Sequence, residues 1–253
     1  MSRAVYALWH REIVRFLRDR ARLTGSLLQP VVFWLLVSGA LHGSFKPAGL
    51  DYGRYFFVGT LAMITLFTAI FATITVIEDR KEGFLQGVLV SPVPRAAIAL
   101  VKILGGATLG MGLAVVFLLL APLAGVELAG DRLALGLAVL ALLSIAVTGL
   151  GFALAWVMDS TAGYHGIMML FLMPMLLLSG AFFPMADAHW LLSWVRHVNP
   201  MTYGVGALRH ALEGEAPGCP SFATCLAGTA VFAVLTFALG TWVVTRRSTR
   251  DAV

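Results

Sequence analysis

The sequence predicts an all-α integral membrane protein with six transmembrane helices, and three observations support this class. Of the 253 residues, 59% are hydrophobic and only 12% are charged, whereas soluble domains have roughly 25% charged residues. The mean hydropathy is +0.89. Apolar runs of about 20 residues recur, each long enough to cross a bilayer as a helix, and no series of alternating ten-residue segments indicates a membrane β-barrel.

The predicted spans cover residues 27–44, 55–77, 98–121, 133–158, 163–184 and 226–245. The chain is interpreted as a single transmembrane domain over residues 1–253. Within it, 1–24 forms an interfacial helix, 27–184 holds spans one to five, 185–225 is an outer loop and 226–245 is span six.

The distribution of basic residues predicts the orientation. Thirteen of the 18 Lys and Arg residues fall on the side of the N-terminus and five on the other side. Because basic residues concentrate on the cytoplasmic side, both termini are expected there, in a multi-pass protein of the bacterial plasma (inner) membrane. Basic patches interleaved with aromatics are missing, so no nucleic-acid partner is expected.

Residues 1–24 have the pattern of an amphipathic helix. Val5, Trp9 and Phe16 recur at helical spacing, opposite arginines such as Arg11 and Arg15. Such a helix lies in the membrane interface, where its basic side chains attract anionic lipid head groups. A positive flank would explain the arginines equally well, but it would not explain the apolar periodicity.

Span two places Thr65, Thr68 and Thr75 on one helical face. Small hydroxyl residues let helices approach closely and bond to their own carbonyls. The alternative is that this face lines a translocation pathway.

The segment from 78 to 95, EDRKEGFLQGVLVSPVPR, separates spans two and three. Its charged start is expected to mark the cytoplasmic exit of span two, because charges are costly in hydrocarbon. After Gly83, Phe84, Leu85 and Leu89 are expected to form a short amphipathic turn, which the Ser91–Pro92 pair ends. A short segment stiffened by two prolines and carrying an apolar knob suits docking into a partner protein. The candidate docking residues are Glu78, Asp79, Arg80, Lys81, Glu82, Gly83, Phe84, Leu85, Leu89, Pro92 and Arg95.

Span five carries Met168, Leu172 and Met175 on one face. Methionine in a bilayer is ordinarily a packing residue, but a flexible, polarizable face also suits a pathway for amphipathic substrates. These two interpretations stay open.

The outer loop at 185–225 is much longer than a reversal of direction needs. It has an aromatic cluster around Trp190 and Trp194, and the pair Asn199–Pro200 is expected to start a second short helix. Cys219 and Cys225 both fall on the predicted oxidising side, where a disulfide between them is expected. The alternative is two free thiols.

Two motif blocks resemble one family. The first is the E-D-R-K-E-G-x-L…S-P-x-x-R pattern after span two. The second runs from Ser179 to Leu212 and contains S-G-A-F-F-P, N-P-M-T-Y and A-L-R. Both blocks, in this order within a chain of six spans, are similar to permeases of the type-two ATP-binding-cassette (ABC) exporters, which include drug-resistance, nodulation-factor and polysaccharide export permeases.

The resemblance implies that the segment from Glu78 to Arg95 is a coupling helix and that spans two and five line the substrate route. It also implies re-entrant helices after span five and an assembly of two permeases, identical or different, with two ATPases. The sequence has no G-x-x-x-x-G-K-[ST] phosphate loop, so no cofactor is expected in this chain, and ATP and Mg²⁺ are expected on a separate ATPase subunit. The cargo is expected to be amphipathic or lipid-linked.

Two other classes of membrane protein are alternatives to a permease. A membrane-embedded lipid-modifying enzyme needs nucleophiles, acids or metal ligands at bilayer depth, and the sequence has no such motif and no catalytic candidate. A passive channel or scaffold is the second alternative. The sequence lacks the rings of charge or the filter-like carbonyl loop that select ions in a channel.

Overall fold

The computed structural model describes residues 2–41, 51–90, 94–184, 190–214, 216 and 218–247. Within these ranges the chain forms α-helices, one short 3-10 helix and no β-strand. The α-helices are α1 (Ser2–Arg18), α2 (Arg20–Leu41), α3 (Tyr52–Lys81), α4 (Phe84–Val90), α5 (Arg95–Leu118), α6 (Gly130–Val157), α7 (Thr161–Leu177), α8 (Trp190–Val198), α9 (Pro200–Glu213) and α10 (Phe222–Arg247). The predicted all-α class is confirmed.

Among the described helices, α2, α3, α5, α6 and α10 are long and apolar enough to cross a membrane. Helix α7 is apolar but has only 17 residues, fewer than the roughly 20 that a perpendicular span needs. The predicted fifth span extended to residue 184, so its C-terminal boundary is wrong. The count of six crossings depends on α7 and stays a prediction, as does the single domain over 1–253.

The structure has a helix at the predicted N-terminal position but a shorter one, and its location in the membrane interface stays a prediction. Helix α1 ends at Arg18, and α2 begins at Arg20, well before the predicted start of span one at residue 27. The break between them falls at Asp19, whose side chain accepts a hydrogen bond from the backbone N–H of Arg22 (3.2 Å). Bonding of this kind caps the start of a helix and separates α2 from α1.

Helix α3 is the central element of the bundle. Its most apolar stretch is 83% buried, compared with 17% for α2 and 22% for α10. It lies against α2, α5, α6, α7 and α9. The surrounding helices enclose most of α3. Their opposite faces, which carry exposed apolar side chains on α2 and α10, are left to contact lipid.

Glycines set the close contacts around this centre. A Cβ atom at Gly106 of α5 would lie 2.6 Å from Thr148 Cγ2 of α6, and one at Gly149 of α6 would lie 2.8 Å from Thr236 Oγ1 of α10. Small residues let transmembrane helices approach this closely.

The bundle has two ends with different architectures. The α1 end holds α1, α4 and the turn between α6 and α7, and α3 reaches it at Asp79. The α9 end holds α9 and the start of α3, where Arg209 contacts Tyr55. Helices α8 and α9 meet at Asn199, whose side chain caps α9 by accepting from the Met201 N–H (3.0 Å). The prediction of short helices at this point is confirmed.

We predict that Gly59→Ala destabilises the bundle. A Cβ at Gly59 of α3 would lie 2.1 Å from the carbonyl oxygen of Ala181, and overpacking of this kind costs about 1–3 kcal/mol. Gly112→Ala is the matched control, because no atom lies within 4 Å of its added Cβ. Thermal unfolding in detergent should show a lower midpoint for the first variant only. Equal midpoints for the two variants would contradict the packing described here.

Candidate functional site

The charged start of the 78–95 segment is helical. Helix α3 continues through Lys81 and Glu82 is its C-cap residue, so the expectation of a loop after span two is wrong for Glu78 to Lys81. The helix can continue beyond its apolar run because most of these charges have partners from other helices.

Asp79 is the centre of a cluster of ion pairs at the α1 end. Its side chain is fully buried. It accepts hydrogen bonds from Arg11 Nη2 (2.9 Å) and Arg15 of α1, and from Lys102 of α5. One carboxylate therefore joins three helices: α1, α3 and α5.

Three more carboxylates complete the charge balance. Glu12 of α1 is buried and pairs with Lys102 Nζ (2.9 Å), while Glu78 of α3 pairs with Arg15 (3.1 Å) and with Arg22 of α2. Glu82 lies 3.5 Å from Arg15 at the rim. We call these residues the inner ion cluster: Arg11, Glu12, Arg15, Arg22, Glu78, Asp79, Glu82 and Lys102.

The inner ion cluster contains four cations and four carboxylates, so its buried charges are compensated. Burial disfavours a charged guanidinium, but the hydrogen bond and the charge of Asp79 outweigh that effect and raise the pKa of Arg11 above its usual value. Breaking one partner of such a network costs far more than a surface ion pair contributes.

Sequence reasoning assigned the α1 arginines only to the membrane interface and missed Glu12 and Lys102 as members of a site. The available signal was local. Arg11 and Arg15 are four residues apart and therefore share a helical face, and Lys102 lies within a predicted span, where a charge calls for a partner.

Arg80 points away from this cluster and holds the neighbouring turn. It pairs with Asp159 (2.8 Å) and donates to the carbonyl oxygens of Trp156 (2.5 Å) and Met158 (3.2 Å). These carbonyls lie at the C-terminal end of α6, where a cation is favourable. Arg80 thus links α3 to the connection between α6 and α7.

Helix α4 lies against the inner ion cluster. Gly83 (φ +77°) turns the chain into it, and the Arg11 guanidinium stacks over the Phe84 ring at 3.6 Å. Leu85 is 3% exposed, so the prediction that it forms part of an outward apolar knob is wrong. The cavity that Phe84 and Leu85 line with α1 and α5 is only about 10 Å³, so this side of α4 is filled.

The opposite side of α4 is open. Val90 is 87% exposed, and Gln86, Lys81 and Glu82 are exposed beside it. We call Lys81, Glu82, Gln86 and Val90 the coupling face. Among the other predicted docking residues, Arg95 begins α5 and is half-buried, whereas Pro92 and the side chain of Leu89 lie outside the described residues.

The predicted pathway threonines are buried within the chain. Thr65 donates to the Leu61 carbonyl (2.9 Å) and Thr68 to the Ile64 carbonyl (2.7 Å) of the same helix. Thr75 bonds to the Ala72 carbonyl and to Glu12. This geometry agrees with the packing interpretation, and in this conformation their hydroxyls face no open pathway.

The predicted pathway residues of span five divide into two groups. Met168 and Leu172 are buried, whereas Met175 lines an open cavity of about 460 Å³ between α7 and α8. The other lining residues are Pro174, Leu178, Trp194, Val195, Val198 and Asn199. The cavity is almost wholly apolar.

Cys219 and Cys225 are free thiols, so the predicted disulfide is not present in the structure. Both sulfur atoms lie beside Gly206 of α9, 3.8 Å and 2.7 Å from where its Cβ would be. Burial raises the pKa of the Cys219 thiol, which keeps it in its less reactive protonated form.

Comparison with known proteins identifies the family. A family model described as ABC-2 type transporter matches residues 3–212. The chain belongs to the ABC-2 type transporter family. Nodulation protein J of Sinorhizobium fredii (strain NBRC 101917 / NGR234) is 27% identical over 95% of this chain and 92% of its own length. A Cyanophora paradoxa protein named "Putative transport permease ycf38" is 25% identical over 81% of this chain and 72% of its own length.

As a member of the ABC-2 type transporter family, the chain is a multi-pass membrane permease, and the recognition made from its two motif blocks is confirmed. Its family implies in general an ATPase partner. The inner ion cluster, α4 and the coupling face all lie within the matched residues.

We predict that Asp79→Asn destabilises this ABC-2 type transporter by about 3–5 kcal/mol, because the near-isosteric amide leaves Arg11, Arg15 and Lys102 without their common countercharge. Glu82→Gln is the matched control. Glu82 is 60% exposed at the rim of the same cluster, and its loss should cost less than about 1 kcal/mol. Denaturant titration in detergent micelles should separate the two variants, and similar midpoints would contradict the central role of Asp79.

Proposed function

We propose that this chain is the transmembrane subunit of an ABC exporter and that a separate ATPase subunit drives it by binding the coupling face. The observation that carries the proposal is the position of α4. Its inward side is fixed to α1 and α5, and its outward side is free for a partner.

The coupling face is suited to a protein partner. It presents an almost fully exposed valine beside Lys81, Glu82 and Gln86. An isolated seven-residue helix would be marginal in water. Here the Arg11 guanidinium stacked on Phe84 and the buried Leu85 anchor α4 to the bundle, so force applied to its outer side would be transmitted rather than absorbed.

The inner ion cluster provides the next step of transmission. A push on α4 reaches Arg11 directly through the Phe84 ring and reaches α3 and α5 through Asp79. Arg80 extends the connection to the turn before α7. Helices α1, α3, α4 and α5 would therefore move together when the ATPase closes on nucleotide.

The assembly that follows has two copies of the ATPase, which hold ATP and Mg²⁺, and two permeases, either identical or different. The α1 end faces the cytoplasm with both termini, in the bacterial plasma membrane, since the basic residues concentrate on that side. In this arrangement α1 lies against lipid head groups.

The cargo in this proposal is amphipathic or lipid-linked. The cavity beside Met175 supports this class, because its volume of about 460 Å³ and its apolar lining suit an apolar part of a substrate. Thr65, Thr68, Thr75, Met168 and Leu172 would line the route only after α3 and α7 move relative to their neighbours.

The proposal predicts that Val90→Glu abolishes binding of the ATPase and leaves the permease folded. The substitution puts a charge at the C-terminal end of the coupling face, on a side chain that contacts little of its own chain. Co-purification with the co-expressed ATPase, followed by assay of ATP hydrolysis, measures the effect.

Leu123→Glu is the matched control, because Leu123 is a similarly exposed aliphatic residue (78%) between α5 and α6 and does not line the cavity beside Met175. It should retain the ATPase. Undiminished ATPase binding by Val90→Glu would rule out the coupling face as the docking surface.

A further inference from the structure

Arg209 of α9 is a buried cation at the end of the bundle opposite the inner ion cluster. Its side chain is only 3% exposed. Its guanidinium stacks on the Tyr55 ring at 3.6 Å. A buried guanidinium with five donors needs several acceptors, and the structure supplies them from two different elements.

The acceptors are backbone carbonyls. Arg209 donates to the Tyr55 carbonyl of α3 (3.1 Å) and to the carbonyls of Gly180 (3.1 Å) and Ala181 (3.4 Å), just after α7. The Tyr55 hydroxyl donates to the same Gly180 carbonyl (2.8 Å). One side chain on α9 thus ties the start of α3 to the chain that leaves α7.

The side-chain hydrogen bonds that join α7 to its neighbours lie at its two ends. Along its length it buries a single stripe, formed by Tyr164, Met168, Leu172 and Leu176, while Leu170 and Phe171 on the other side are exposed. The Tyr164 hydroxyl is bonded to Thr73 of α3 (2.5 Å) towards the α1 end. Asn199 and Arg209 hold the opposite end.

A second acceptor for Arg209 lies close by. Glu213, one helical turn further along α9, is 4% exposed, and its Oε2 is 3.6 Å from Arg209 Nη1. Its Oε1 is buried without a hydrogen bond and lies 4.0 Å from Arg54 Nε. Glu213 is therefore already an ion-pair partner of Arg209, and a guanidinium that left the α7 carbonyls would keep this carboxylate as its partner.

We propose that Arg209 is the latch of the α9 end. It holds this end of the bundle closed until its guanidinium leaves the Gly180 and Ala181 carbonyls and moves closer to Glu213, which lets α7 move away from α3. Arg209 is a positioning residue for transport and contacts no cargo in this role. The latch rests on the proposed function, because it matters only in a bundle that opens.

Accessibility of Ser179 tests the latch in the resting protein. Ser179 is 3% exposed in the turn after α7, so Ser179→Cys should react slowly with a methanethiosulfonate reagent in a Cys219→Ala, Cys225→Ala background. Arg209→Met should increase the rate of labelling about tenfold or more, because it removes several buried hydrogen bonds to a charged group. Arg132→Met, an exposed arginine near the same end, should leave the rate unchanged. A parental rate in Arg209→Met overturns the proposal.

A second reporter separates local opening from unfolding. Ala146 lies in α6 and is fully buried, so Ala146→Cys should stay unreactive in the same variants. If Arg209→Met exposes Ala146→Cys too, the Arg209→Lys variant distinguishes local opening from unfolding. An ammonium keeps the charge beside Glu213 but lacks the planar fork that serves carbonyls on two elements. In the Arg209→Lys variant, Ser179→Cys should react at a rate between those of the parent and Arg209→Met, and Ala146→Cys should stay unreactive. A parental rate for Ser179→Cys overturns the latch.

The complex with the ATPase distinguishes the latch from the proposed function. If both hold, ATP increases Ser179→Cys labelling in the parent, and Glu213→Gln, which removes the charged partner that the released guanidinium keeps, weakens that response. If ATP has no effect while Arg209→Met still increases the rate, the latch stands and the ATP-driven function fails. If ATP increases labelling but Arg209→Met does not, the function stands and the latch fails.

Discussion

The fold depends on the burial of one carboxylate, that of Asp79, among cations from α1 and α5. A charge at the end of a membrane span would ordinarily leave the bundle for water. Here Arg11, Arg15 and Lys102 neutralise it inside the protein, so α1 is bonded to two spans instead of merely lying on a lipid surface. The same contacts place Arg11 over Phe84 and thereby orient α4. The positions of α1 and α4 against α3 and α5 therefore depend on a single compensated cluster.

Helix α3 links that cluster to the other end of the molecule. It is the most enclosed span, and it carries Asp79 near one end and Tyr55 near the other. At each end an arginine from another helix contacts it: the half-buried Arg11 from α1 and the buried Arg209 from α9. The two contacts differ in kind. Arg11 is fixed by full negative charges, whereas Arg209 combines neutral carbonyls, which it can release, with an ion pair to Glu213 that it would keep. This difference suits a rigid α1 end, on which the proposed ATPase acts, and an α9 end that can open.

The sequence predicted features that depend on local pattern. Apolar length located the spans, helical periodicity located α1, and the Asn199–Pro200 pair located the start of α9. It failed where the outcome depends on distant partners. Asp79 looked exposed because its partner Arg11 lies 68 residues away in the chain. A helix of seven residues has two sides, and nothing in its own residues showed that Leu85 faces inward. The alternatives for Thr65 and Thr68 could be weighed only once the neighbouring helices were in place.

The rigidity of the α1 end is the central claim, and a distance measured between spin labels tests it most directly. Labels on cysteines at Tyr6, which is 63% exposed on α1, and at Leu104, which is 38% exposed on α5, report whether the two helices move as one body. With the native cysteines removed, the account predicts one narrow distance that ATP binding to the complex leaves unchanged and that Asp79→Asn broadens. A distance that shifts with ATP in the parent, or stays narrow in Asp79→Asn, would contradict it.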